Sequence, residues 1–187
     1  MDITAGRYVF GAQHGTLLLR TARTGLGSRA GHDLIIEATT WSGEAMIEPG
    51  EPLGVQIRVE VDVAGLRVVS GHGGIKPLTE HDRNEIRRLL RSDRLLHADK
   101  YPTIEYRSDS AAGTPESFRL EGHLTLAGTS HPLTVVGGQS TDGHLKGSAT
   151  IAQTHWGIKP YTAFLGALKV ADEVHIDFET TLIASGR

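Results

Sequence analysis

The stretch Gly54-Val55-Gln56-Ile57-Arg58-Val59-Glu60-Val61-Asp62-Val63 decides the fold class. Val55, Ile57, Val59, Val61 and Val63 point one way; Gln56, Arg58, Glu60 and Asp62 point the other. Strict alternation over this length predicts a β-strand with one dry and one wet face. The same period returns downstream. Phe118, Leu120, Leu124 and Leu126 alternate with Arg119, Glu121, His123 and Thr125. Leu145, Gly147, Ala149 and Ile151 alternate with Lys146, Ser148 and Thr150, and Val174, Ile176, Phe178 and Leu182 with His175, Asp177, Glu179 and Thr181. Shorter strands are expected over 16–23, 32–40, 42–47, 103–108 and 133–139. Turn signals such as Pro49-Gly50 and Asp142-Gly143 separate them. Many strands with one wet face imply an all-β antiparallel sheet. A sheet of so many strands must curl or close to hide its edges.

One segment breaks the period. From Pro77 to Arg91 the spacing predicts a helix, with Thr79 as N-cap and Asp82 completing a capping box. Glu80 and Asp82 suit the positive end of its dipole; Arg87, Arg88 and Arg91 suit the negative end. Ile86, Leu89 and Leu90 form a short apolar face expected to cover one end of the barrel.

Composition narrows the function. The chain has 187 residues, is read as a single domain over 1–187, and at this size buries roughly 70% of its unfolded surface. It has no cysteine, which excludes disulfides, thiolate metal sites and cysteine nucleophiles. A net charge of −3 gives no general attraction to nucleic acid. No stretch approaches the roughly 18 apolar residues of a membrane span, so stable membrane insertion is not expected. The N-terminus shows no basic start followed by an apolar run, and a cytoplasmic location is expected.

Ten histidines invite a metal reading, but none stands at the i, i+2 or i, i+4 spacing that sets two ligands together, and no metal or cofactor is expected. His32-Asp33 is the most suggestive polar pair. Neighbours on a strand face opposite sides, so the two do not form a dyad by themselves. Gly71-His72-Gly73-Gly74 is followed by Ile75-Lys76-Pro77, which lacks the Lys-Ser/Thr helix start of a phosphate loop; a hairpin or rim loop is expected.

The ordered motifs resemble the YceI-like family of lipocalin-like, polyisoprenoid-binding proteins. The matching segments are Arg83-Asn84, the run from Ala98 through Tyr101-Pro102-Thr103 to Tyr106, and the run from Leu120 through Leu124-Thr125-Leu126-Ala127-Gly128 to Leu133. Trp156-Gly157-Ile158 and the run from Ala171 to Ile176 complete them. Departures fall at Asn84, where the family often has Asp, at Leu96-His97, where it often has Phe-Asp, and around Gly25 to His32. The resemblance implies an extended eight-stranded antiparallel lipocalin-like barrel, a long apolar lumen and commonly a homodimer. It implies an isoprenoid, isoprenoid quinone or related lipid as ligand, and no established catalytic activity. Candidate ligand-binding residues are Leu19, Ile36, Ile57, Val59, Ile86, Leu89, Phe118, Leu124 and Phe164. The alternatives are an enzyme using the same cavity, with His32, Asp33 or His97 as acid or base, and an interaction module whose lumen is a packed core.

Overall fold

A computed structural model of the chain describes residues 4–48, 54–141 and 143–185. The turn signals Pro49-Gly50 and Asp142 lie outside them. The elements are β1 (Gly6–Gly11), β2 (Gly15–Thr24), β3 (His32–Ala38), β4 (Trp41–Glu48), β5 (Gly54–Asp62), β6 (Leu66–Gly73) and α1 (Glu80–Arg91), followed by β7 (Thr103–Thr114), β8 (Ser117–Leu126), β9 (Thr129–Gln139) and β10 (Leu145–Ala152). The last are the two-residue β11 (Thr162–Ala163), β12 (Leu168–Thr180) and β13 (Ile183–Ala184).

Several of these segments are pieces of longer, bent strands. Gly11 of β1 faces Ser42 of β4, and Leu18 of β2 faces Glu37 of β3, so β1–β2 runs antiparallel to β3–β4 across both bends. Trp41 faces Val61 and Ala38 faces Leu66, so β5–β6 follows β3–β4 in the same way. Tyr8 faces Ala184 and Gly15 faces Thr180, so β12–β13 follows β1–β2. With β7, β8, β9 and β10 these make eight long strands. Each pairs with the next, and β10 pairs with β12 to complete the ring. The fold is therefore a closed antiparallel barrel in which corners break four of the eight strands. At one corner a turn of 3-10 helix, Val63–Gly65, is held by the Asp62 carboxylate accepting the Ala64 N–H at 2.8 Å. Ladder bonds carry on through it: Thr39 N–H donates to Gly65 O, and Asp62 N–H to Thr40 O, both at 3.0 Å.

The alternation read from sequence becomes the inside and outside of this barrel. On β4, Trp41, Gly43, Ala45 and Ile47 are buried while Ser42, Glu44, Met46 and Glu48 are exposed. The outer face carries ion pairs between strands, such as Arg58–Glu105 at 2.6 Å, Arg20–Asp177 at 2.6 Å and Arg67–Glu37 at 2.7 Å. Exposed pairs of this kind add little stability each; they keep the outside wet and so fix the register. Strands β1 and β6 were not among those expected. Gly71-His72-Gly73, read as a loop, are the last residues of β6 and pair with His32, Asp33 and Leu34 of β3.

The helix forms where expected. The Thr79 hydroxyl accepts the Asp82 N–H at 3.2 Å and the Asp82 carboxylate accepts the Thr79 N–H at 2.9 Å, which closes the capping box. Its position explains one irregularity of the barrel. Strand β6 has β3 on one side and no strand on the other. The helix lies along that edge, where the Arg83 guanidinium donates to Val68 O and Val69 O at 3.2 and 2.8 Å, and Arg91 donates to Ala64 O. Ile86 and Leu90 pack beneath it against the cluster of Ile36, Trp41, Val63, Leu66 and Val68. A bare edge and its carbonyls are thus covered by side chains of the helix.

Candidate functional site: the apolar bore

The inward faces of the eight strands do not fill the barrel. They enclose a cavity of about 430 Å³, within the roughly 300–1,000 Å³ of small-molecule sites. The bore is long. Along one strand run, Val174, Ile176, Phe178, Thr180 and Leu182 all line it, and the β12 part of that path, Val174 to Thr180, covers about 20 Å along the strand at about 3.4 Å per residue. Thr21, Gln153 and Ile158 mark one end; Ala111 to Pro115 of the β7–β8 hairpin and Leu182 mark the other.

The chemistry of the wall is uniform. Among the described residues it holds no Asp, Glu, Lys, Arg or His. Three of its polar side chains spend hydrogen bonds on the protein, while Trp41 Nε1 and the Tyr106 hydroxyl are buried without a partner. Thr21 Oγ1 accepts the Leu34 N–H at 3.3 Å, Gln153 Nε2 donates to Ala171 O at 2.9 Å, and Thr180 Oγ1 donates to His14 O at 3.3 Å. Tyr106 is the wall's titratable group. Burial, with smaller contributions from Glu121 and Asp109, pushes its hydroxyl up to about 12, so it stays neutral at physiological pH.

Glycines keep the bore open. Gly43, Gly122, Gly137 and Gly147 sit at inward positions, and an aromatic side chain occupies the space above each. A Cβ at Gly137 would stand 2.6 Å from Phe118 Cζ, and one at Gly122 would stand 2.8 Å from the Tyr106 hydroxyl. At Gly43 and Gly147 the rings of Phe10 and Phe178 come closer still. Aromatic bulk is thereby laid against the wall instead of across the lumen.

Of the candidate ligand-binding residues, Leu19, Ile36, Ile57, Val59, Phe118 and Leu124 line the cavity. Ile86 and Leu89 do not. Ile86 packs in the cluster under the helix, and the helical region instead presents Leu90 and Leu96 to the bore. The side chain of Phe164 lies outside the described residues. Sequence reading did not pick out Trp41, Tyr106 or the inward glycines, although their alternation with Ser42, Glu105 and Lys146 was legible.

The candidate acid–base residues lie elsewhere. His32 Nε2 is 2.9 Å from Lys76 O, while Asp33 accepts the Arg23 N–H at 2.8 Å, so the two neighbours engage separate partners. His97 occupies a left-handed turn (φ 49°) with its ring edge-on to Tyr101. None of the three is part of the cavity wall. No group of three or more His, Asp or Glu able to hold a metal occurs among the described residues. Among those residues, no helix is long and apolar enough to cross a membrane.

Barrel, edge-covering helix and apolar bore define a lipocalin-like architecture. The YceI-like domain model matches residues 10–182, and the chain belongs to that family. Solved structures share the fold at low identity. BcnA of Burkholderia cenocepacia superposes with a TM-score of 0.65 at 16% identity, over 91% of this chain and 96% of its own. A polyisoprenoid-binding domain from Saccharophagus degradans, implicated in plant cell wall breakdown, gives 0.60 at 11% identity, over 97% and 100%. The YceI protein of Campylobacter jejuni gives 0.55 at 15% identity, over 81% and 85%. No curated protein matches the sequence.

Proposed function

We propose that the protein binds or carries an apolar chain, a polyisoprenoid, isoprenoid quinone or related lipid, inside the barrel. The observation that carries this reading is the long cavity walled without a charged or imidazole side chain. Such a wall offers no charge and few hydrogen-bonding groups to a polar substrate, whose desolvation would go largely uncompensated. It rewards each methylene removed from water by about 0.8 kcal/mol. The polyisoprenoid-binding relative from Saccharophagus degradans supports the same ligand class.

Binding is favoured over catalysis in this cavity by the wall itself. General acid–base chemistry needs a group that titrates near the working pH, and Tyr106, held neutral by burial, does not supply one. The test is mass spectrometry of the organic extract of freshly purified protein. A stoichiometric prenyl or acyl chain supports the reading. A clean extract, together with no uptake of added prenyl alcohols from micelles, overturns it.

A further inference from the structure

Three loops meet at the end of the barrel where β2 stops and β3 starts, and each lifts one large apolar side chain into solvent. Leu26 is 103% exposed, Leu165 110% and Ile75 79%. Their neighbourhood is fixed by contacts between the loops. Gly27 N–H donates to Ala167 O at 2.8 Å, His32 pairs with Gly73, and the His32 ring lies over Gly74 and 2.9 Å from Lys76 O. Glycines at positive φ set the tips: Gly25 (91°), Gly74 (76°) and Gly166 (88°) flank the three residues. Folding gains nothing from side chains held out in this way.

Charge separates these loops from the rest of the molecule. Segments 24–31, 73–79 and 158–169 carry Arg29, Lys76, Lys159 and Lys169, all exposed, and no acidic residue. That is notable in a chain with a net charge of −3 and 22 acidic residues. Most carboxylates next to the rim are engaged; Glu173, exposed beside Lys169, is the exception among the described residues. Asp33 bonds Arg23, Asp82 bonds Thr79, Asp172 bonds Thr154, and Glu80 lies 3.9 Å from Arg83.

From this we infer that the rim is a docking surface for an anionic lipid bilayer: Leu26, Ile75 and Leu165 insert between headgroups while Arg29, Lys76, Lys159 and Lys169 meet lipid phosphates. Three separate apolar tips amid basic loops suit a soft, fluid surface. A protein partner would call for a contiguous, packed apolar patch. Apolar insertion plus basic attraction is the usual combination for reversible attachment at the interface. The inference goes beyond the bore and stands whether or not a chain fills it. Where one does, docking sets the Thr21 end of the bore against the membrane, since Thr21 lies three residues from the rim along β2.

The test is co-sedimentation of the full chain with two vesicle types. One is phosphatidylcholine alone; the other is equal parts phosphatidylcholine and phosphatidylglycerol. Wild type is expected to bind the mixed vesicles, to bind neutral ones several-fold more weakly, and to lose binding in high salt. The triple variant Leu26→Ser/Ile75→Ser/Leu165→Ser is expected to lose roughly tenfold or more, while keeping its melting temperature and its uptake of prenyl alcohol from micelles. A Leu165→Trp probe is expected to shift its emission to the blue on the mixed vesicles. Failure of wild type to bind either vesicle, or equal binding by the triple variant, overturns the proposal. Self-association that the triple variant abolishes, without vesicle binding, overturns it in favour of a second copy.

Discussion

Tyr106 joins the wall's chemistry to a measurable stability. Its hydroxyl is buried without a hydrogen-bond partner, and burial raises it to about 12, against about 10 in an unfolded chain. The neutral form is favoured by the fold. Its contribution is therefore intact below pH ~10 and lost as pH climbs from ~10 through ~12, by on the order of 2 kcal/mol. Tyr106→Phe is expected to remove that part of the alkaline loss and to change stability little at neutral pH, because no bond is broken. Urea midpoints for both proteins at neutral and strongly alkaline pH check it. Gly43 offers a second residue-scale test, since the three atoms nearest to a Cβ there belong to the Phe10 ring. Gly43→Ala is expected to push that ring into the bore, to cost about 1–3 kcal/mol by overpacking, and to weaken binding of the longest chains. Adding Phe10→Leu is expected to return much of both losses. Equal melting temperatures for Gly43→Ala and wild type would show that the ring gives way freely.

At the scale of elements, the helix can be tested apart from the sheet. Thr79→Ala removes the acceptor for the Asp82 N–H and is expected to cost about 1 kcal/mol, the usual scale of a lost cap. Thermal melts by circular dichroism measure it. Asp82 is held below the usual carboxylate range by its bonds from Thr79. The carboxylate's part of the cap is thus present at neutral pH and fades as acid protonates Asp82, so the gap between variant and wild type is expected to shrink at low pH while the Asp82 N–H bond to the Thr79 hydroxyl keeps it from closing. The helix was legible because caps and dipole charges are local signals. The face it turns to the barrel was legible in part, through Ile86 and Leu90. Arg83, Ile86, Leu90 and Arg91 share a face set by the bare edge of β6, a partner unknown until the strands are paired. Of the apolar face Ile86, Leu89 and Leu90, it is Leu90 that reaches the bore. Strands with strict alternation, such as β5 and β8, could be read directly. The short β1 and glycine-ended β6 could not, because their extension is dictated by pairing with β4 and β3. The corners that join segments into eight long strands are likewise products of non-local pairing.

The whole molecule is a tube, and its length makes the strongest demand on the proposed function. Assembly as a homodimer, which the family resemblance implies, is a proposal that light scattering of the purified chain decides, a monomeric mass excluding it at the working concentration. The ligand reading is more exacting. Each buried five-carbon isoprene unit gains about 3–4 kcal/mol before ordering costs. Affinity is therefore expected to climb steeply along a series of prenyl alcohols until the bore is filled, and then to level off. Salt is expected to have little effect on this step, because a wall without charged side chains has nothing to screen. Ile57 faces the cavity from β5. Ile57→Trp is expected to narrow the tube and shift the plateau to shorter chains while the barrel still folds. If the variant folds and binds the longest prenyl chain as tightly as wild type, Ile57 does not bound the ligand and the occupied region lies elsewhere. If affinity is flat across the series, a headgroup outside the bore does the binding. Titration of wild type and variant with the same series, at low and high salt, separates these outcomes: apolar burial scales with every methylene added, whereas a headgroup contact is complete with the first.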